Sequence, residues 1–303
     1  MALIYSRLVL TTFFWAMMFH LAKYVVAFMS PLAIGGWRFL AAALILVPLV
    51  YWREGIDLAG LRRNLVPLLA MAAIGICGFN IALFYGLHST SPVNGALITA
   101  LCPALTVLLS ALLNREPVSR RQMAGLGLGL AGVVTVISHG SVAALLALSF
   151  TPGDALVFCA ALAMAVYSTI PRRFITGLAP LQVSAMTISF GGLLMSGVAQ
   201  IVSPDFYTLP PHSVVAAIAA MSVLGTVLAY MWWNDGVARI GAARAAIFMN
   251  LIPIFTVLIG IALGQAVSGA QLAGTALVIG GVLYASSWPA AKPLAPALAC
   301  PAS

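Results

Sequence analysis

His20 and Lys23 stand three residues apart in the stretch "WAMMFHLAKYVV", and another cation, Arg38, follows in "GGWRFL". All three sit in runs that otherwise read as lipid-soluble. A helical i, i+3 spacing places His20 and Lys23 on one face, with Trp15 about one and a half turns further in. A cation in such a setting attracts a carboxylate, and a histidine beside it titrates near neutral pH and suits proton carriage. An ionised group facing lipid costs about 3 kcal/mol, less if it snorkels. These residues are therefore expected either to line an outward-opening cavity or to serve helix ends.

No catalytic residues are expected. The chain has no HExxH, no DxxD and no Ser/His/Asp grouping in its apolar runs, and no Walker A loop for ATP. Cys77, Cys102, Cys159 and Cys300 are not spaced as metal ligands or as a disulfide framework. Those in apolar runs read as small fillers. No metal and no cofactor is expected. The acidic residues Glu54, Asp57, Glu116, Asp154, Asp205 and Asp235 fall between apolar runs or at their ends. A carboxylate proton relay thus has no candidate, which leaves facilitated diffusion or coupling through His20 or an acid at a span end.

The elements that must position these residues follow from composition. The chain is 63% hydrophobic and 7% charged over 303 residues, where soluble domains carry about 25% charged residues. It reads as an all-α integral membrane protein. Runs long enough for a bilayer crossing, ~20 residues, fall at 8–28, 31–51, 64–86, 91–113, 120–138, 153–171, 180–202, 213–236, 241–263 and 269–287. The first is too long for a cleaved signal segment. With the N-terminus inside, every Lys and Arg except Lys23 and Arg38 falls on the inner side. That split follows the positive-inside rule and puts both termini in the cytoplasm. It also accounts for the net charge of +8 without nucleic acid. Lys23 then lies ~22 Å along an outward-running helix and Arg38 ~10 Å below the outer surface, at similar depth.

The chain also repeats itself. "LCPALTVL" from Leu101 matches "LIPIFTVL" from Leu251, and "SRRQMAGLGLGLAGVV" from Ser119 matches "SGAQLAGTALVIGGVL" from Ser268. Gly86 matches Gly236 and Pro31 matches Pro180, at offsets of 149 or 150. The repeat holds five spans, so the second copy enters the membrane from the opposite side. Residues 1–139 form the first copy, 140–288 the second, and 289–303 a cytoplasmic tail expected to be disordered. Inverted repeats are the architecture of alternating-access carriers, with the substrate between the halves near the midplane.

Pro103 and Pro253 fall near the middle of spans four and nine, where they are expected to bend the helices and gate a cavity. Gly125 with Gly129, and Gly260 with Gly264, are spaced for close helix packing. Further cavity candidates are Phe79 and Asn80 in span three, Thr99 ahead of Pro103, Tyr167 in span six, Trp232 in span eight and Asn250 ahead of Pro253. A pocket for amino acids calls for aromatics and amides around a charged anchor. For each of these residues, plain packing is the alternative.

"FFWAMMFHLAK", with Trp15, Ala16 and Lys23, resembles the opening of EamA-type proteins of the drug/metabolite transporter superfamily. "PLAIGGWRFLAAALIL", with Pro31, Arg38 and Phe39, resembles their second span. "LCPALTVLLSALLNREPVSRRQMAGLGLGLAGVV", with Pro103, Glu116 and Gly125, resembles their fourth and fifth. The second copy repeats the pattern with Pro253 and Gly274, and has Gln265 where Glu is usual. The resemblance covers almost the whole chain. It implies ten helices in two inverted halves and a secondary transporter of small organic metabolites in a bacterial inner membrane. Such two-repeat proteins include YddG-type exporters of amino acids, and amino-acid export is the expectation. Export of cationic drugs or other metabolites is the alternative; an enzyme or channel fits the sequence less well. A small-molecule substrate and the lipid bilayer are the expected partners, with a monomer the expected unit.

Overall fold

In the computed structural model, residues 2–90, 98–115, 117–138, 140–146, 151–264 and 268–286 are described. Glu116, Gln265, Lys292, Cys300 and the tail lie outside them. The chain folds as a helical bundle, and each expected span has its helix: α1 (Ala2–Val25), α2 (Pro31–Arg53), α3 (65–89), α4 (Cys102–Leu113), α5 (Arg120–Ile137), α6 (Pro152–Phe174), α7 (Pro180–Val202), α8 (His212–Ile240), α9 (Ala242–Ala262) and α10 (Gly269–Ser286). Helices α1, α2, α3, α6, α7, α8 and α9 are long and apolar enough to cross a membrane.

Local signals set the ends. Pro31 and Pro180 open α2 and α7, where a missing N–H costs nothing. Ser119 and Gln122 cap α5 reciprocally, with bonds of 2.8 and 3.1 Å, and Ser268 and Gln271 do the same for α10 at 2.9 and 3.2 Å. The Ser and Gln shared by the two copies are therefore helix-start signals.

The ends also show the inversion. The Ser30 N–H, at the start of α2, donates to the Asp205 carboxylate just past the end of α7. Gln182, at the start of α7, donates to the Gly55 carbonyl just past the end of α2 at 3.3 Å. These equivalent helices of the two copies thus run antiparallel, side by side. Arg7 at the start of α1 pairs with Asp235 near the end of α8 at 3.2 Å, and Tyr24 near the end of α1 donates to Ser213 at the start of α8.

The halves are interleaved. Midway, α3 and α8 each widen into a π-helical segment, Met71–Gly78 and Met221–Leu228, at an offset of 150. Gly75 in the first segment lies flat against Tyr167 of α6, and Gly225 in the second against Met18 of α1. Tyr167 and Met18 are themselves equivalents, at an offset of 149. Gly86 likewise meets Val157, and Gly236 meets Leu8. At the far side of the bundle, Gly125 and Gly132 of α5 meet Gly281 and Gly274 of α10, backbone against backbone.

Two expectations need correction. The prolines do not kink continuous helices. The chain turns at 100–101, and α4 restarts at Cys102 with Pro103 in its first turn. In α9 a 3-10 turn, Phe248–Asn250, precedes a helix restarting at Leu251, so Pro253 is again in a first turn. The break comes before each proline because a first turn leaves its N–H groups unpaired anyway. Gly264 does not pack: α9 ends at Ala262, and Gly264 takes φ +85° in the following turn with open space where a side chain would go.

One joint locks an end of the bundle. Buried Asn64, at the start of α3, donates to the Thr176 and Gly60 carbonyls at 2.9 and 2.8 Å and accepts from the Thr176 N–H at 2.9 Å. Asn64→Ala would strand these groups, and we expect a loss of about 1–3 kcal/mol. The check is a lowered midpoint of thermal unfolding in detergent.

Candidate functional site

The middle of the bundle gathers aromatic and polar side chains from α1, α2, α3, α6, α7 and α8. Tyr230, just past the π segment of α8, is the hub. Trp15 of α1 and Tyr167 of α6 meet its ring edge-on, with centroids at 5.9 and 5.6 Å, and Phe39 of α2 lies at 6.4 Å. Trp233 sits beside Trp15 at 5.3 Å and is fully buried. Trp15 donates through Nε1 to the Gly225 carbonyl at 3.2 Å, using backbone that the π segment exposes.

Arg38 is the charge at this centre. Its guanidinium lies 4.3 Å from the Phe39 ring centroid and within electrostatic reach of Tyr230. Nη2 reaches Asn80 Oδ1 only at 3.4 Å, and Nε is buried with no hydrogen-bond partner. Asn80 is held in place by its own bond to the Ile76 carbonyl at 2.7 Å. Among the described residues no carboxylate pairs with Arg38; Asp235 is taken by Arg7 and Arg239. A half-buried guanidinium with this little compensation is an anchor for an anionic group.

Beside it, Asn234 of α8 ties α6 to α7. Its Nδ2 donates to the Tyr167 hydroxyl at 3.0 Å and to Ser184 Oγ at 2.8 Å, while Oδ1 is buried without a donor. Tyr167 also lies 3.4 Å from Thr187 Oγ1, and Trp233 donates to Ser168 Oγ at 3.3 Å.

Of the residues singled out from the sequence, Trp15, Arg38, Asn80 and Tyr167 come together around Tyr230. Phe79 is partly buried against the same core. The others stand elsewhere. His20 is partly buried and bonds the Thr256 carbonyl of α9 at 3.1 Å. Lys23 is exposed in the last turn of α1. Trp232 stacks on Phe14 at 5.8 Å, on the other flank of α1. Thr99 is half-buried at the break before α4. Asn250 is buried against Gly129 of α5, with neither amide atom bonded.

Sequence reasoning missed Tyr230, Trp233, Asn234, Ser184 and Thr187. The repeat held part of the signal: Asn80 plus 150 is Tyr230, and Arg38 plus 149 is Thr187.

The sequence profile of the EamA-like transporter family matches residues 3–138 and again residues 151–287. The chain belongs to the EamA-like transporter family. This transporter is a two-repeat member of the drug/metabolite transporter superfamily and a multi-pass membrane protein. It is 39% identical over 285 residues to the uncharacterized transporter YyaM of Bacillus subtilis, with 93% of each chain covered. It is 27% identical over 234 residues to the aromatic amino acid exporter YddG of Ancylobacter novellus, covering 77% of this chain and 80% of that one. A crystal structure of similar fold superposes with a TM-score of 0.80 at 22% identity, covering 94% of the transporter and 96% of the other chain.

Proposed function

We propose that this transporter exports amino acids, neutral and aromatic ones foremost, with the substrate carboxylate held by Arg38. The observation that carries the reading is the Arg38 guanidinium: set among aromatic rings, without a carboxylate partner among the described residues and with Nε unbonded. Half-buried Trp15 offers its ring to an apolar side chain, with buried Tyr167 and Tyr230 packed behind it. Rearrangement between the two inverted and interleaved copies, residues 1–139 and 140–288, exposes the site to either side in turn. The restarts before Pro103 and Pro253 serve as the bends of that motion. Both termini lie in the cytoplasm of a bacterial cell bounded by this inner membrane, and one chain is the working unit. With no carboxylate at mid-depth among the described residues, the cycle runs as uniport.

The test is uptake into proteoliposomes of radiolabelled phenylalanine, threonine and methionine, with and without a pH gradient. Uptake without a gradient is expected. Uptake of a cationic dye and of no amino acid would sink the reading, and a strict gradient requirement would sink uniport.

Exposed Lys23 is assigned to the outer vestibule, where a cation draws anions inward. Lys23→Ala is then expected to raise the apparent KM severalfold at low ionic strength. That effect should fade in concentrated salt, because exposed charges are screened within about 10 Å at 0.1 M. A salt-independent loss would place Lys23 elsewhere.

A further inference from the structure

The duplication lets each central residue be compared with its own copy. Arg38 and Asn80 of the first half correspond to Thr187 and Tyr230 of the second, and Trp15 and Met18 to Met164 and Tyr167. The fold has kept the positions and changed the chemistry. The first half supplies a charge and an amide. The second supplies a hydroxyl, Thr187, and two phenol rings, with Tyr167 bonding Thr187.

Among the described residues of this arrangement, none offers a negative charge to an ammonium group. Among the described residues, each carboxylate is near an end of the bundle. Glu54 closes α2, Asp57 caps the short helix Leu58–Arg63, and Asp154 lies in the first turn of α6. Asp205 follows α7, and Asp235 is bound by two arginines. At the centre, the Ser184 and Thr187 hydroxyls are already bonded to helix carbonyls, and the Tyr167 hydroxyl accepts from Asn234. Asn234 Oδ1 is a neutral acceptor, suited to one N–H or O–H of a ligand but unable to cancel a charge. An amino acid zwitterion adds no net charge, so the Arg38 site would stay at +1 with an ammonium buried beside it. A carboxylate lacking the ammonium neutralises Arg38 outright, and charge drawn away from water is held at least cost when it is balanced in this way.

We propose that the central site is matched to a monoanionic carboxylate with an aromatic or apolar body and no ammonium group, in preference to the zwitterionic amino acid of the same shape. This inference rests on the reading of Arg38 as the carboxylate anchor and narrows the substrate class of that site, the amino acid becoming its weaker ligand.

The experiment uses the full chain in detergent and three ligands of one skeleton: phenylalanine, 3-phenylpropanoate and phenethylamine. Binding is read by isothermal titration and thermal stabilisation, which avoids leakage of a weak acid through vesicles. 3-Phenylpropanoate is expected to bind at least about tenfold more tightly than phenylalanine, and phenethylamine not to bind. Arg38→Gln should abolish that ranking, and Arg38→Lys should keep part of it. Thr187→Asp, which adds a carboxylate at the copy of the Arg38 position, should bring phenylalanine to parity or better. Phenylalanine binding as tightly as 3-phenylpropanoate in the unmodified chain would overturn the inference and leave the anchor reading intact. Tightest binding of phenethylamine, a ranking unmoved by Arg38→Gln, or no binding of either acid would overturn both. If Arg38→Gln does not fold, the ranking in the unmodified chain and in Thr187→Asp decides.

Discussion

Arg38→Gln is expected to lower transport of a carboxylate substrate by about 10- to 150-fold in kcat/KM. The estimate follows from the charge-assisted bond it removes, worth about 1.5–3 kcal/mol. Glutamine keeps the length and a donor but not the charge or the fork that a carboxylate fits. The loss should come with little change in thermal stability, because Arg38 makes one long bond to Asn80 and leaves Nε unbonded. Asn80→Ala should do the reverse. It removes the clasp on the Ile76 carbonyl and the hold on Arg38, so stability falls and transport falls less. Equal transport by Arg38→Gln and unmodified protein, measured in proteoliposomes at matched protein content, would remove Arg38 from the substrate path.

The largest expected effect on folding comes from Gly132→Val. A Cβ on Gly132 would sit 2.6 Å from the Gly274 carbonyl oxygen and 2.8 Å from the Val278 backbone nitrogen. Neither atom can swing aside, so α5 and α10 must separate along their length. Overpacking of this sort costs about 1–3 kcal/mol where side chains yield, and more is expected where backbone must. Gly127, on the same helix, has nothing within 4 Å of its Cβ position. Gly127→Ala should be neutral or slightly stabilising, since alanine favours a helix over glycine by about 1 kcal/mol. The paired measurement is monodisperse yield and the midpoint of thermal unfolding in detergent. A Gly132→Val protein as stable as Gly127→Ala would refute the contact.

Much of this architecture is legible in the sequence because bilayers demand simple patterns. Apolar runs of crossing length give the described helices to within several residues, except that the helix of the fourth run begins only at Cys102. Serine and glutamine recurring three apart give the starts of α5 and α10. What could not be read is rotation. "MWWND" offers two adjacent tryptophans, of which Trp232 is the one named from the sequence. The π segment at Met221–Leu228 adds a residue to the turn and so rotates everything beyond it by roughly 100°. Trp233 and Asn234 then face the centre, and Trp232 faces Phe14. The prolines misled for a related reason: hydropathy shows a continuous run and hides a restart. His20 and Lys23 share a helix face as the spacing says, yet that face meets α9 and the surface near the helix end rather than the aromatic centre. Only the packing of α1 against α8 decides which stripe of α1 looks inward.

The interlocked glycine contacts bear on how the molecule comes into being. While the first five helices leave the ribosome, the groove at Gly75 has no Tyr167 to fill it, and Leu8 and Met18 have no glycine to receive them. The early half must therefore wait in the membrane as a loose hairpin assembly until α6 and α8 arrive. Biosynthesis has no finished intermediate at the halfway point.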